Sequence, residues 1–232
     1  MKIPEFKIRT DLALEEREGL KEAAEEVSGV SFKKWEGKRS AAQITEVKVL
    51  NEHGAKALGK PMGSYLTLEA DKLLMPDEDF HSEVSDELAL LLKGLLKQKT
   101  GKNILVAGLG NQSVTPDSLG PRTVSNLCVS AEGLKAIAPG VMAQTGMETA
   151  RILLGIIKEV QPDLVIAIDA LAARSIRRLG TTIQLTDTGI HPGSGVGNHR
   201  RGMTRENLGV PVIAIGVPTV VGAAAIVHGT VN

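Results

Sequence analysis

Apolar runs of strand type alternate with helical stretches through the second half of the chain, and this alternation limits the fold more than any other feature of the sequence. The strand-type runs lie at residues 104–109, 164–168, 181–185 and 210–217, with helical stretches at about 117–127 and 146–160 between the earlier ones. Apolar runs that alternate with helices are typical of a parallel sheet covered on both faces. The sequence therefore predicts an α/β fold, with a mainly parallel, twisted sheet and helices on both faces.

The first part of the chain predicts a smaller, β-rich addition to this fold. Residues 30–70 carry short β-like patterns separated by turn residues, among them the turn at residues 51–54. We therefore expect a single α/β domain over residues 12–232, with residues 30–70 as a small β-rich subregion. Residues 219–232 end without a helix cap or a closing strand, so we expect the C-terminus to be truncated.

Charge and cysteine content exclude several classes of protein. Lys plus Arg and Asp plus Glu number 27 each, so no global charge attracts nucleic acid or an anionic membrane. The single cysteine, Cys128, excludes an intramolecular disulfide and is expected to be a buried, inert thiol. No apolar stretch reaches the ~18 residues that a membrane-spanning helix needs. We expect a cytoplasmic protein with no membrane partner and no direct nucleic-acid partner.

Two aspartates follow strand-type runs. Asp117 comes soon after the run at residues 104–109, and Asp169 directly follows the run at residues 164–168. Because ligands bind at the carboxyl ends of parallel strands, the two carboxylates are expected to face one crevice. The alternative is that each aspartate caps a following helix, which for Asp169 would cover residues 170–179. The spacing leaves both interpretations open.

A pair of close carboxylates has the chemistry that peptide-bond hydrolysis needs. Two neighbouring carboxylates do not both ionise readily, so one keeps a proton while the other acts as a base. The base can activate water, and the acid can protonate the carbonyl oxygen or the leaving amine. If Asp117 and Asp169 meet, they provide both groups in one site.

A glycine-rich loop around His191 is the second candidate site. The loop includes Gly193 and Gly195, and glycines let backbone N–H groups approach a ligand closely. A purely structural loop is the alternative. Together with Gly108 and Gly110, the loop also allows a phosphate- or nucleotide-binding module, although the third glycine of a dinucleotide motif is missing.

Seven longer strings of the sequence match one known family in order along the chain. They are IRTDLALEE (8–16), KALGKPMGSYLTLEA (56–70), LVAGLGNQSVTPDSLGP (105–121), APGVMAQTGMET (138–149), PDLVIAIDALAAR (162–174), TDTGIHPGSGVGN (186–198) and GVPVIAIGVPTVV (209–221). These strings resemble the germination protease of endospore-forming bacteria, peptidase family A25. The resemblance runs from about residue 8 to the end of the chain.

The resemblance implies an endopeptidase with an atypical aspartic mechanism and no cofactor. Members of the family degrade small acid-soluble spore proteins in the spore core during germination, and those substrates coat DNA, so the enzyme itself needs no nucleic acid. The family's catalytic aspartates belong to motifs that are matched here by Asp117 and Asp169. The resemblance also implies a homotetramer in the cytoplasm of the forespore.

The resemblance further implies a zymogen. Family members remove their own N-terminal peptide at a site that reads acidic residue, large apolar residue, Ala, any residue and Glu. Residues 11–15 match this pattern, so cleavage is expected between Asp11 and Leu12, with residues 1–11 as the propeptide. We expect fraying at the start of the following helix to expose this bond.

A metal-dependent mechanism remains as the alternative. The family's fold resembles that of hydrogenase-maturation endopeptidases, whose acidic residues at comparable strand ends bind a metal. Asp117, Asp169 and His191 would then hold a metal ion, with water as the nucleophile. The two mechanisms share both carboxylates and differ in whether a third ligand joins them.

Overall fold

Eight strands form one continuous sheet in the part of the chain that the structure describes. The computed structural model describes residues 10–20, 27–96, 103–129, 133–191, 201–223 and 225–226. The strands are β1 (Val30–Glu36), β2 (Gln43–Val49), β3 (Gly63–Glu69), β4 (Ile104–Gly108), β5 (Leu134–Ile137), β6 (Leu164–Ala173), β7 (Thr182–Thr186) and β8 (Val212–Val221). They lie in the order β1-β2-β3-β7-β8-β6-β4-β5.

The sheet has a parallel part and an antiparallel part. Strands β5, β4, β6 and β8 are parallel neighbours, and they are rich in aliphatic residues because both of their faces are covered. Strand β7 runs antiparallel to β8, and β3, β2 and β1 continue from it with antiparallel pairing. The predicted α/β fold with a β-rich N-terminal portion is confirmed, and that portion extends the same sheet.

Helices cover both faces of the parallel part, as predicted. The helices are α1 (Ala13–Gly19), α2 (Glu52–Leu58), α3 (Glu78–Leu96), α4 (Leu119–Ser125), α5 (Met142–Thr145), α6 (Thr149–Val160) and α7 (Arg205–Leu208). Helix α6 packs Ala150, Leu153 and Ile157 on the face that carries Val165. Helices α3 and α4 pack on the other face, which carries Ile166. None of the described helices combines the length and the apolar character needed to cross a bilayer.

Helix α1 lies on the antiparallel part of the sheet. Its first residue, Ala13, is fully buried with Val47 and Tyr65. The register pairs Tyr65 with Thr186 and Thr67 with Gln184, so these side chains share the face that α1 covers. The N–H of Ala13 donates a hydrogen bond to Gln184 Oε1 (2.8 Å), which ties the start of α1 to β7.

Two local predictions were wrong. Residues 51–54, predicted as a turn, begin helix α2, because the Asn51 side chain accepts a hydrogen bond from the Gly54 N–H (2.9 Å) and caps the helix. Cys128, expected to be buried, is exposed. It follows α4 in the connection to β5, where Leu127 packs against the core and Cys128 does not.

Candidate active site

Strand β6 extends beyond its neighbour β4 and forms one side of a cleft. Strand β4 ends at Gly108, opposite Ile168, and the N–H of Leu109 then donates to the Ile168 carbonyl (2.7 Å). Farther along β6, Ala172 accepts a hydrogen bond from the Asp11 N–H (2.9 Å) and donates one to Asp11 Oδ2 (2.9 Å). The N-terminal segment therefore binds the edge of β6 that β4 leaves open.

A cavity of about 290 Å³ lies in this cleft and brings the two predicted catalytic aspartates together. Asp117 and Asp169 both line it, and so does Asp11. Asp169 is buried, with 4% of its surface exposed, whereas Asp117 is half-buried. Other polar residues on the wall are Asn111, Glu148, Thr149, Arg201 and Thr219.

The Asp117 side chain is fixed by the loop that joins β4 to α4. Its Oδ2 accepts a hydrogen bond from the Asn111 N–H (2.8 Å), and Asn111 Oδ1 accepts one from Gln144 Nε2 (2.7 Å). The Thr219 hydroxyl at the end of β8 donates to the Pro116 carbonyl (2.6 Å). The Asp117 carboxylate thus bonds to the start of the loop that carries it, and contacts with α5 and β8 hold this loop in place.

Two glycines allow this loop to pack against the strands. A Cβ atom at Gly120 would collide with the backbone of Leu109 and with the Ile168 carbonyl, so α4 begins in direct backbone contact with the end of β4 and the middle of β6. Gly110 has a φ of 110°, and a Cβ atom there would collide with the Asp117 carbonyl. This close approach places the Asp117 turn beside the strand that carries Asp169.

Asp169 stands inside a strand rather than at a helix start. It pairs with Gly216 of β8, and β6 continues past it to Ala173. Its Oδ1 accepts a hydrogen bond from the Ala170 N–H (2.9 Å). The interpretation of Asp169 as a helix cap is therefore wrong, because the residues after it pair with β8 instead of starting a helix.

The Asp11–Leu12 peptide bond lies beside the cavity and is held from both sides. Leu12 is fully buried and packs with Leu171. The Asp11 carbonyl oxygen accepts hydrogen bonds from Lys60 Nζ (2.9 Å) and Gln184 Nε2 (3.3 Å). The expectation that fraying exposes this bond is not met, because apolar packing and these hydrogen bonds anchor the segment.

His191 lines a second, smaller cavity of about 60 Å³ together with Lys60 and Tyr65. Burial, followed by the charge of Lys60, lowers the pKa of His191 below its usual 6.5. Burial also raises the pKa of Tyr65 to about 12, so its hydroxyl keeps its proton at neutral pH. Gly193 and Gly195, predicted to share a site with His191, lie outside the described residues.

The ligand set of the metal alternative does not come together in this structure. Asp117 and Asp169 line the first cavity, whereas His191 lines the second. Within the described ranges, no three His, Cys, Asp or Glu side chains stand close enough together to hold a metal ion. These residues therefore do not fit a three-ligand metal site.

Gly108 and Gly110 are used for packing rather than for phosphate binding. A Cβ atom at Gly108 would collide with the Gly120 carbonyl, and one at Gly110 with the Asp117 carbonyl. Both glycines thus allow protein backbone, and not a phosphate group, to approach. The segment with Gly108 and Gly110 therefore does not support the nucleotide-binding hypothesis.

The sequence did not single out several polar residues of the two cavities: Lys60, Asn111, Glu148 and Gln184. Lys60 lies in the turn before β3, and Gln184 lies in the middle of β7. No local signal distinguishes Gln184, because Thr182 and Thr186 of the same short strand are polar too. Only the fold shows that these side chains converge.

Comparison with known proteins identifies the family. A family model described as germination protease matches residues 8–232. The chain belongs to the germination protease family. The germination protease of Caldanaerobacter subterraneus subsp. tengcongensis is 52% identical over 97% of this chain and 72% of its own length. Those of Oceanobacillus iheyensis and Clostridium perfringens are 45% and 43% identical, each over 98% of this chain, and over 67% and 74% of their own lengths.

This chain is therefore a peptidase, shorter than the relatives that it matches. Among solved structures, the NiFe hydrogenase maturation protease HycI of Thermococcus kodakarensis matches 58% of this chain and 88% of its own, with a TM-score of 0.41 and 18% identity.

Proposed function

We propose that this germination protease is an aspartic-type endopeptidase of small acid-soluble spore proteins, and that it first removes its own residues 1–11. The observation that carries the proposal is that Asp117 and Asp169 line one cavity, which Asp11 also lines. Membership of the germination protease family supports the protease role in spores.

The two carboxyl groups have different roles in hydrolysis, one as a base and the other as an acid. One takes a proton from a water molecule, and the water oxygen bonds to the carbonyl carbon of the scissile peptide group. The other carboxyl group gives its proton to the leaving nitrogen, and the C–N bond breaks to leave a carboxylate and an amine. Asp169 is itself shielded from bulk water, which strengthens the electrostatic interactions of its carboxylate.

The N-terminal segment lies in the cleft in the way that a peptide substrate binds a sheet edge. Asp11 pairs with Ala172 through its N–H and its carboxylate, and Leu12 fills an apolar pocket. These contacts suit an acidic residue before the scissile bond and a large apolar residue after it. The cleavage site after Asp11 is thus held at the wall of the cavity.

The remaining parts of the proposal follow from the resemblance to the family. Spore proteins are the substrates, the location is the spore core, and the assembly is a homotetramer.

Asparagine substitutions at the two aspartates test the mechanism. Asp117→Asn and Asp169→Asn each remove a proton-transfer group and should lower the cleavage rate of a small acid-soluble spore protein by about 10²–10⁴-fold. Both should also stop the appearance of a new N-terminus at Leu12 when the purified chain is incubated at mildly acidic pH and sequenced. Circular dichroism checks that each variant is folded.

Asp86→Asn is the matched control, because Asp86 is exposed on α3 and lies outside the cavity wall. It should cleave and self-process at the wild-type rate. Wild-type rates in either active-site variant would contradict the aspartic mechanism. An intact N-terminus on a chain that degrades the spore protein would contradict the propeptide alone.

A further inference from the structure

Lys60 contacts the peptide group that is proposed to be cleaved. Its Nζ lies 2.9 Å from the carbonyl oxygen of Asp11 and 3.4 Å from that of Thr10. Gln184 Nε2 lies 3.3 Å from the same Asp11 oxygen. Two N–H donors therefore converge on the atom that gains negative charge when water attacks the Asp11 carbonyl carbon.

Both donors are held in place by the surrounding fold. Lys60 follows Gly59, which ends α2 in the left-handed conformation (φ 66°), and the Lys60 N–H donates to the Ala55 carbonyl (3.2 Å). Gln184 Oε1 accepts a hydrogen bond from the Ala13 N–H (2.8 Å), which directs its amide nitrogen toward Asp11. The fold thus fixes the backbone of Lys60 and the amide group of Gln184 beside the Asp11 carbonyl, and such pre-positioned donors are what electrostatic stabilisation of a transition state requires.

The Asp11 peptide lies between the two cavities. Asp11 lines the first cavity with the catalytic aspartates and also the second cavity with Lys60 and Gln184. Water activated in the first cavity can approach the carbonyl carbon while the carbonyl oxygen stays among the donors of the second.

We propose that Lys60, assisted by Gln184, stabilises the oxyanion that forms on the carbonyl of the scissile peptide bond. The role extends from the Asp11–Leu12 bond of the chain itself to a protein substrate that replaces residues 10–12 in the cleft, and it rests on the function proposed above. One aspartate accepts the proton of water, the other protonates the leaving nitrogen, and the oxyanion returns to a carbonyl oxygen when the C–N bond breaks.

Loss of the N-terminal segment makes the Lys60 amine available to bind the substrate. Burial lowers the pKa of Lys60, against the opposing charges of Asp11, Glu16 and Glu15, so the amine is poorly hydrated. Departure of residues up to Asp11 removes the two carbonyl oxygens that it contacts in this structure. The carbonyl oxygen of an incoming substrate restores the hydrogen bond.

A reaction in which one chain cleaves another distinguishes a role of Lys60 in catalysis from a role in anchoring its own N-terminal segment. The Asp117→Asn chain serves as the substrate, since it carries an intact N-terminal segment and its own Lys60. Wild type, Lys60→Met, Lys60→Arg and Lys56→Met serve as catalysts. Each is first cut before Leu12 by immobilised wild type, which is then removed, so that its own cleft is open and any released peptide comes from the substrate. Lys56 is the control because it is exposed on α2. Release of the substrate's N-terminal peptide is followed by mass spectrometry, and kcat and KM are determined for each catalyst.

Lys60→Met should lower kcat by about 10²–10³-fold, the usual effect of removing an oxyanion donor, with KM changed less than about threefold. Lys60→Arg should recover part of the lost rate, and Lys56→Met should match wild type. If Lys60→Met does not fold, Gln184→Glu replaces it. That change removes the donor to Asp11, keeps the acceptor for the Ala13 N–H, and should lower kcat about tenfold.

A folded Lys60→Met catalyst with the kcat of wild type would show that Lys60 only anchors its own N-terminal segment. A raised KM with unchanged kcat would likewise overturn the proposal. These results differ from failure of the aspartic mechanism itself, in which Asp117→Asn and Asp169→Asn chains would cleave as catalysts whatever residue stands at position 60.

Discussion

At the scale of single residues, Gly120 sets how closely the Asp117 turn approaches the strand of Asp169. Gly120→Ala adds a methyl group that collides with the backbone of Leu109 and with the Ile168 carbonyl, so α4 must move away from the sheet. We expect the free energy of unfolding to fall by about 1–3 kcal/mol, as for other overpacked sites. Because a small displacement of a catalytic group is costly, the cleavage rate should fall about 100-fold. Urea unfolding and the spore-protein assay measure the two effects.

Gly155→Ala is the control for this substitution. Gly155 is exposed in α6, and a Cβ atom there meets open space, so alanine should stabilise the helix by about 0.5–1 kcal/mol and leave the rate unchanged. A folded Gly120→Ala chain with wild-type activity would show that this close contact does not control the catalytic geometry.

The residues of the site differ in how far the sequence could predict them. Asp117 and Asp169 follow apolar runs, and the topology of a parallel sheet predicts that such residues meet. The contact between Lys60, Gln184 and Asp11 joins a turn, a strand and the N-terminal segment, so no local pattern encodes it. Long-range contacts of this kind become visible only when the fold is known.

At the scale of secondary-structure elements, Glu15 links α1 to the segment that follows β6. Its carboxylate accepts hydrogen bonds from the backbone N–H groups of Arg174 (2.6 Å) and Ser175 (2.9 Å) and from Arg178 Nη1 (3.1 Å). The Glu15 side chain is only 2% exposed, and that of Arg178 is 13% exposed. Arg174 and Arg178, which follow β6, therefore bind α1.

Glu15→Gln tests the contribution of this buried carboxylate. The substitution removes the buried negative charge that pairs with Arg178. It also replaces one acceptor oxygen with an NH₂ group, which faces N–H donors. The free energy of unfolding should therefore fall by about 3–5 kcal/mol. Glu18→Gln removes another partner of Arg178 that is 47% exposed, and it should cost less than about 1 kcal/mol. Urea unfolding and hydrogen exchange in α1 provide the comparison. Equal effects of the two changes would mean that burial of Glu15 adds no stability.

Element boundaries were harder to predict than element types. Strand β6 was expected to stop at residue 168 because a charged residue follows, yet Asp169 and its successors pair with β8. Strand β1 carries Lys33 and Lys34 on an exposed edge, and β5 (Leu134–Ile137) is only four residues long, so neither has a clear apolar pattern. Pairing with a neighbour, and not the local sequence, defines these elements.

At the scale of the whole molecule, the protonation of His191 links stability to pH. Its pKa in the folded chain lies below the unfolded value of about 6.5, first because of burial and then because of Lys60, while Glu206 opposes the shift. The unfolded chain therefore binds more protons below this pH, so the stabilising contribution is present above about pH 6.5 and is lost as the pH falls through the folded pKa. His191→Gln should lose less stability than wild type between pH 7 and pH 5 in urea unfolding.

His53→Gln controls for the loss of an imidazole, since His53 is exposed on α2. It should reproduce the wild-type dependence on pH. If His191→Gln also reproduces that dependence, the protonation of His191 does not contribute to the acid sensitivity of the fold.

The fold class was predictable from the alternation of strands and helices, but the position of the N-terminal segment on the sheet was not. The N-terminal segment contacts Ala172 of β6 and Gln184 of β7, the two strands that flank β8. It therefore joins the parallel and antiparallel parts of the sheet. No periodicity in residues 1–20 could indicate this position.

The complete burial of Leu12 has a consequence for any cut made directly before it. Hydrolysis after Asp11 would turn the Leu12 amide into a free amino group, which is mostly protonated at neutral pH because its pKa is about 7.7–8.0. That cation would lie at the apolar pocket formed with Leu171 and Ala173, where an ion loses its hydration. The Leu12 nitrogen would also lose its hydrogen-bond acceptor in this structure, Thr10 Oγ1 (3.0 Å), when residues 1–11 leave. Activation would then be a one-way step, because the chemical product is poorly suited to the place that its precursor occupies.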